Sequence, residues 1–135
     1  YVFDWERMLS FEGETGPYLQ YAHARIRSIL ARSGGGASVE NPARYTLPSN
    51  EETRLAREIL AFPAAVDTAA SELAPHRICK QLHRISQAFG SFYEHCPVLI
   101  EDDSLRFERI SLCALTGDIL QAGLGLLGID APSRM

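Results

Sequence analysis

The sequence predicts an all-α protein, a bundle of about five or six helices. Three long segments place apolar residues three or four positions apart, which puts them on one face of a helix. Capping residues, prolines and glycines stand where these segments begin and end. No segment alternates apolar and polar residues over a length that would indicate a strand. With 135 residues and 46% hydrophobic content, the chain is predicted to form a single domain, residues 1–135.

The first long helix is predicted from Thr15 to Ser33. Thr15 can cap its start, Pro17 falls in the first turn, and Gly34 to Gly36 can end it. Its apolar face consists of Leu19, Ala22, Ile26, Ile29 and Leu30. The opposite face carries Tyr18, Tyr21, Arg25 and Arg32. Aromatic and arginine side chains together can bind RNA or a neighbouring protein surface, although a solvated face with two half-buried tyrosines fits the pattern equally well.

The segments on either side of this helix differ in composition. Residues 1–11 are apolar, and we expect them to pack on the long helix or against a further domain; they include Phe3, Trp5, Met8, Leu9 and Phe11. The glycine-, proline- and serine-rich stretch after Ser33 predicts a long loop, which we expect to be mobile.

Two shorter helices follow the loop. Ser49 and Glu52 have the spacing of a capping box and open the first of them. Its predicted buried side consists of Leu55, Ile59, Leu60 and Phe62. Pro63 begins the second, which is rich in alanine.

The helix from Pro75 to about Cys96 is the basic part of an otherwise acidic chain. Its apolar face consists of Ile78, Leu82, Ile85, Phe89, Phe92 and Cys96. The opposite face carries Arg77, Lys80 and Arg84. The segment has three basic and one acidic residue, whereas seven basic and ten acidic residues precede it and three basic and six acidic residues follow it.

The net charge of the whole chain is −4. This charge argues against nucleic-acid binding by bulk charge but permits a module that reads a few unstacked nucleobases.

The last helix is predicted to be a core helix of the bundle, with Asp103 as its cap. Four residues repeat every seven positions, and three leucines lie beside them: Leu105, Leu112, Ile119 and Leu126, with Leu115, Leu120 and Leu127. A short tail follows it to Met135.

The sequence offers little for catalysis or metal binding. His76, Cys79 and His83 share one side of a helix, but no fourth zinc ligand stands at a suitable spacing, so we expect exposed histidines and a cysteine at the edge of the apolar face. His23 is expected to be a histidine at the edge of the core that hydrogen-bonds a neighbour. No P-loop, dinucleotide or nucleophile-elbow motif occurs, and Glu12 and Glu14 are interpreted as helix N-terminal charges.

Composition also bears on location. Three cysteines without other secretory features favour reduced thiols in a cytoplasmic protein. The sequence contains no apolar run of about 18 residues, so we predict no membrane span. Because the chain opens without methionine or a signal peptide, we expect it to be a fragment of a longer chain.

Four ordered blocks of sequence carry a family resemblance. They are DWERML with EGETGPYLQYAHARIRSI, then EETRLAREIL, then PHRICKQLHRISQAFGSFYEHCPVL, and RISLCALTGDILQAGLGLLGIDAPSRM. Together they resemble the C-terminal anticodon-binding domain of arginyl-tRNA synthetase, over nearly all of the chain except residues 33–48. Two departures are Glu14, where the family commonly has asparagine in EGNTGPY, and the loop after Ser33, which has its own sequence.

The resemblance implies recognition of the anticodon loop of arginine tRNA. That enzyme attaches arginine to its tRNA with ATP and magnesium, and the resemblance places this chemistry in an upstream catalytic domain that the chain lacks. We therefore expect a fragment that binds RNA without a cofactor of its own and without catalysis, with no membrane or DNA partner.

The resemblance also suggests roles for individual residues. Tyr93 and Met135 would contact flipped anticodon bases, although Tyr93 by pattern alone is equally consistent with a core tyrosine. Arg134 would reach a base edge or a phosphate. The phosphates of the loop would be bound by Arg77, Lys80 and Arg84. The tRNA stem or the catalytic domain would be contacted by Tyr18, Tyr21 and Arg25.

A helical protein-interaction module, such as a divergent synthetase paralogue with a changed partner, is the alternative function. It would use the apolar residues 1–11 and the tyrosines of the first helix. Convergence of the basic face of the Pro75 helix with the C-terminal tail in one groove would favour RNA binding. A large apolar patch formed by residues 1–21 would favour the interaction module.

Overall fold

The computed structural model describes residues 4–9, 13, 15–33 and 46–135, and within these ranges the chain is helical and contains no strand. The helices of these ranges are α1 (Trp5–Met8), α2 (Gly16–Arg32), α3 (Asn50–Leu60), α4 (Phe62–Ser71), α5 (His76–His95) and α6 (Asp103–Leu126). The all-α prediction is confirmed. The predictions for Phe3, Phe11, Glu12, Glu14, Gly34–Gly36 and the loop over 34–45, and for the side chain of Met8, lie outside the described residues.

The helix starts follow the capping signals closely. The Thr15 hydroxyl accepts a hydrogen bond from the Tyr18 N–H at 3.2 Å, and Ser49 and Glu52 form the complete capping box. The prediction that Asp103 caps α6 is wrong by one residue. The Asp102 carboxylate accepts from the Leu105 N–H at 3.0 Å, since a cap needs extended backbone and Asp103 already lies in the first helical turn.

The core lies where α2, α5 and α6 meet. Ile26, Leu82, Phe92 and Leu120 are fully buried there, as the apolar faces of α2 and α5 predicted. Gly123 lets α6 approach α5 closely, because a Cβ at this position would lie 2.5 Å from Leu82 Cδ2.

The seven-residue pattern of α6 predicts its buried surface poorly. Leu112 and Leu120 are buried, but Leu115 is 40% exposed and Leu126 is 59% exposed. Residues 108–114 are instead buried without interruption, because α6 packs against α2, α3 and α5 and has no single buried stripe. The prediction for α3 is wrong at Leu60, which is 77% exposed at the last position of the helix.

A buried ion pair joins α3 to α6. The Arg109 Nε donates to Glu52 Oε1 at 2.7 Å, and a second guanidinium nitrogen donates to the Pro97 carbonyl at 2.7 Å. Burial alone would raise the pKa of Glu52, but the hydrogen bonds from Arg109 and Ser49 outweigh it and leave the pKa below its usual value. Each charge is therefore hydrogen-bonded as well as paired, which is the condition under which such a pair is tolerated in a core.

Two large apolar side chains, Trp5 in the short helix α1 and Leu9 just after it, are largely exposed to solvent. Trp5 is 68% exposed and Leu9 is 62% exposed. Of the two expectations for this segment, packing on the long helix is therefore wrong for these two residues, and packing against a further domain stays a prediction. Within the described ranges, no helix is long and apolar enough to cross a membrane.

Candidate nucleic-acid interface

The residues after α6, which we call the C-terminal tail (127–135), fold back onto α2. Gly128 has a φ of 72°, a left-handed conformation that glycine adopts without strain, and the Ile129 N–H bonds the Leu124 carbonyl at 2.9 Å. The Gln20 side chain then donates to the Asp130 carbonyl at 2.8 Å. Ile129 and Ala131 pack against the hydrophobic core. The tail is therefore part of the folded structure.

His23 provides the next contact between α2 and the tail. Its Nδ1 lies 2.9 Å from the Pro132 carbonyl oxygen, and the ring is only 2% exposed. The prediction of a histidine that hydrogen-bonds a neighbour at the edge of the core is confirmed. Burial lowers the pKa of His23, and the nearby Arg27 charge lowers it further, against the opposing effects of the Pro132 carbonyl and Asp118.

The tail and α2 form the walls of a groove of about 640 Å³, which we call the tail groove. Four of the residues predicted to contact RNA or to dock line it: Tyr21, Arg25, Arg134 and Met135. The remaining lining residues are Ala24, Arg27, Ser28, Ala31 and Ser133. A groove with three arginines, one exposed tyrosine and an exposed terminal methionine suits an unstacked nucleotide, which offers both phosphate and an apolar base face.

Tyr93 lies next to this groove and meets it through Arg25. The Arg25 guanidinium carbon is 4.7 Å from the centre of the Tyr93 ring, and Phe89 stacks on the same ring at 6.1 Å. Tyr93 also lines a hollow of about 340 Å³ with Arg32 and the residues that follow α5. A base can therefore stack on the face of Tyr93 that Arg25 covers only if the guanidinium moves, whereas the outer plane of Arg25 is itself a stacking surface.

The basic face of α5 opens into a different groove. Arg77, Lys80 and Arg84 line a space of about 260 Å³ whose other wall is the alanine-rich α4; we call it the basic groove. Arg77 forms an ion pair with Glu72 there. At 3.6 residues per turn, the spacing of nine positions from Arg84 to Tyr93 places these two side chains about 180° apart around α5. The basic face and the C-terminal tail therefore do not converge in one groove.

Tyr18 belongs to neither groove. It is half-buried and stacks on His83, with ring centres 5.6 Å apart and planes inclined by 10°. The expectation that His76 and His83 are exposed is therefore wrong for His83, which is 6% exposed, and right for His76. The stack explains the error, because an imidazole with an aromatic neighbour is readily accommodated at the edge of a core. Among the described residues, no group of three or more His, Cys, Asp or Glu side chains is placed to hold a metal ion.

Sequence reasoning missed Arg27, which connects His23 on α2 to Asp118 and Gln121 on α6. It donates through Nε to His23 Nε2 at 3.2 Å and through a terminal nitrogen to Asp118 at 3.0 Å and Gln121 at 2.8 Å. Its spacing of four residues from His23 was a local signal for the first contact. The partners on α6 are more than 90 residues away in sequence, and no local pattern identifies them.

Comparisons with known proteins find relatives of this chain in sequence and in structure. Residues 19–135 match the family model described as DALR anticodon binding domain. Over its full length the chain is 49% identical to an arginine–tRNA ligase of Frankia casuarinae and 45% identical to one of Haemophilus influenzae, covering 23% and 24% of those proteins. The solved arginyl-tRNA synthetase of Thermus thermophilus superposes with a TM-score of 0.81 at 38% identity, over 94% of this chain and 22% of that one. The chain thus spans about a quarter of the length of the curated relatives it matches.

Proposed function

Because this chain belongs to the family of DALR anticodon binding domains, we propose that it recognises the anticodon loop of arginine tRNA within an arginine–tRNA ligase. The observation that carries the proposal is the family match over residues 19–135, which includes every residue that lines the tail groove. The high identity to arginine–tRNA ligases of two bacteria supports arginine as the amino acid concerned.

The tail groove is the proposed site for the anticodon bases. Met135 would contact a base face, and Arg134 would reach a base edge or a phosphate. Arg25 and Tyr21 line the same groove, so we assign them to RNA in preference to a docking surface. Tyr93 would act with Arg25, as the aromatic support behind the guanidinium plane.

The basic groove is proposed to bind phosphates outside the nucleotides that occupy the tail groove. Arg77, Lys80 and Arg84 offer positive charge, while the opposite wall has small alanine side chains that let a backbone approach. Since α5 separates the two grooves, one flipped base cannot occupy the tail groove while its own phosphate contacts Arg84. The two grooves would therefore contact different parts of the RNA.

The remaining chemistry is proposed to lie outside this chain. A full-length ligase would bind ATP and magnesium, activate arginine and esterify it to the tRNA in its catalytic domain, in the cytoplasm, while this domain binds without catalysing. The largely exposed Trp5 and Leu9 are candidates for contact with that catalytic domain. Tyr18 is a weaker candidate for docking, because its ring already packs on His83.

The test is a binding titration of the full-length protein with an arginine tRNA anticodon stem-loop. A stem-loop with the central anticodon bases replaced is the control. We expect salt-sensitive binding of the native loop and at least about tenfold weaker binding of the replaced loop, since two or three base contacts of 1–3 kcal/mol each are lost. Equal affinity for the two loops would contradict anticodon recognition, and failure to bind either loop would contradict RNA binding by this domain.

A further inference from the structure

We propose that His23 is a positioning residue for anticodon recognition: its imidazole fixes the C-terminal tail so that Arg134 and Met135 line the tail groove. The inference rests on the proposed function for its role in RNA binding. Its structural part, that His23 orders the end of the chain, can be measured without RNA.

His23 is the last polar anchor before the end of the chain. Its Nδ1–H donates to the Pro132 carbonyl at 2.9 Å. The preceding anchor, from Gln20 to the Asp130 carbonyl, is exposed to solvent, whereas the His23 ring is buried. Within the described ranges, residues 133–135 take part in no hydrogen bond or ion pair. The position of Arg134 and Met135 therefore depends on where Pro132 is held.

The orientation of the imidazole is itself fixed from α6. Arg27 donates its Nε–H to His23 Nε2 at 3.2 Å, which requires a lone pair on Nε2 and leaves the proton on Nδ1. The Arg27 guanidinium is held in turn by Asp118 and Gln121. The tautomer with its proton on Nδ1 is therefore the only one that satisfies both the Pro132 carbonyl and Arg27. The lowered pKa agrees, because the ring must stay neutral to accept from Arg27.

Because Arg27 also lines the tail groove, the same chain of contacts links α6, α2, the tail and the RNA-facing surface. A tail anchored at Pro132 loses less conformational entropy on binding RNA than a tail that is free from Gly128 onward. The imidazole therefore contributes to affinity without touching RNA.

A matched pair of substitutions, His23→Asn and His23→Leu, isolates the Pro132 hydrogen bond. The two side chains have nearly the same shape, and both remove the acceptor used by Arg27. Only asparagine can place an N–H close to the position of Nδ1. We expect His23→Leu to bind the native stem-loop roughly five- to tenfold more weakly than His23→Asn, since the partly buried Pro132 carbonyl loses its donor.

Hydrogen–deuterium exchange of the C-terminal peptide, measured on the full-length protein without RNA, gives the direct readout. We expect faster exchange after Gly128 in His23→Leu than in His23→Asn, with unchanged exchange in α3 and α4. Equal exchange in the two variants would overturn the proposal whatever the RNA titration shows. If exchange differs but the unmutated protein fails to distinguish the two loops, the proposed function fails and the positioning of the tail stands.

Removal of residues 133–135 separates positioning from general stability. In the shortened protein there is nothing left to position, so His23→Leu and His23→Asn should bind the stem-loop equally. A difference that persists in the shortened protein would show that His23 acts through the stability of α2, and the proposal would be wrong.

Discussion

The tail groove and the basic groove both present arginines, but they are assembled in different ways. The tail groove combines α2 with residues more than 100 positions later in the chain, and it is held together by one exposed and one partly buried hydrogen bond. The basic groove needs only one face of α5 and the neighbouring α4.

Under the proposed function, this difference predicts that the two grooves have different roles in RNA binding. A groove with a fixed tail, a stacked arginine and an apolar terminus has the shape and the mixed chemistry that distinguish one base from another. A row of exposed cations attracts phosphates of any sequence. Discrimination should therefore depend on the tail groove, and salt-dependent affinity on the basic groove.

Both grooves depend on the framework that Glu52 and Arg109 stabilise, so breaking this pair should have the largest effect. Arg109→Met leaves the Glu52 carboxylate buried without its cation and should lower the free energy of unfolding by about 3–5 kcal/mol. Urea denaturation measures the change. Arg106→Met on the same helix is the control, because Arg106 forms an exposed pair with Asp103 and should cost about 0.5 kcal/mol or less. Similar losses in the two variants would contradict the importance assigned to the buried pair.

Acid should weaken the same framework. The pKa of Glu52 is lower in the folded protein than its usual value of 4.5, so the unfolded chain takes up a proton first as the pH falls. The contribution of this carboxylate is therefore complete above pH 4.5 and is lost as the pH falls through the folded-state pKa. Denaturation at a series of pH values should show a steeper loss below that pH in the unmutated protein than in Glu52→Gln. Parallel curves would contradict the direction of the shift.

Two glycines of α6 test the packing of α5 against α6. This packing fixes the position of the two grooves relative to each other. Gly123→Ala places a methyl group 2.5 Å from Leu82 Cδ2 and should cost about 1–3 kcal/mol of unfolding free energy. Gly125→Ala in the same helix meets nothing within 4 Å and should stabilise the protein by up to about 1 kcal/mol. Thermal denaturation should therefore shift in opposite directions, and equal shifts would contradict the close approach of the helices.

The sequence predicted local features well because their causes are local. Thr15 as a cap, the Ser49–Glu52 box and the buried faces of α2 and α5 each depend on residues within one or two turns of helix. The predicted seven-residue stripe of α6 failed because a helix covered on several sides has no single buried face. Arg109 and Glu108 are buried there only because Glu52, Thr46 and the Pro97 carbonyl bind them from other segments.

The sequence named some of the residues that line the tail groove, but it did not show which of them lie together. Nine candidate residues were proposed, and four of them meet in the tail groove while Tyr93 lies beside it. The separation of Arg84 from Tyr93 could have been read from their spacing on α5, which places them on opposite faces. The fold of the tail onto α2 could not, since it depends on contacts between positions about 110 residues apart.

Arg25 tests the tail groove directly. Arg25→Ala removes the plane that covers Tyr93 and should weaken binding of the native loop by about tenfold, a typical value for one stacked base. Arg25→Lys keeps the charge but not the plane. We expect the lysine variant to keep the salt dependence of the unmutated protein while losing part of its preference for the native over the replaced loop. Full discrimination by Arg25→Lys would show that Arg25 contributes charge alone.

The smallest effect is expected from the basic groove. Arg84→Ala should weaken binding of the native and the replaced loop by the same factor, and it should reduce the slope of log affinity against log salt by about one. Arg57→Ala removes the same charge from an exposed position on α3 outside both grooves and serves as the control. A larger loss for the native loop would mean that Arg84 reads bases, and the division of labour between the grooves would be wrong. An unchanged salt slope in Arg84→Ala would instead remove the basic groove from the RNA interface, because a phosphate contact must release a counterion when it forms.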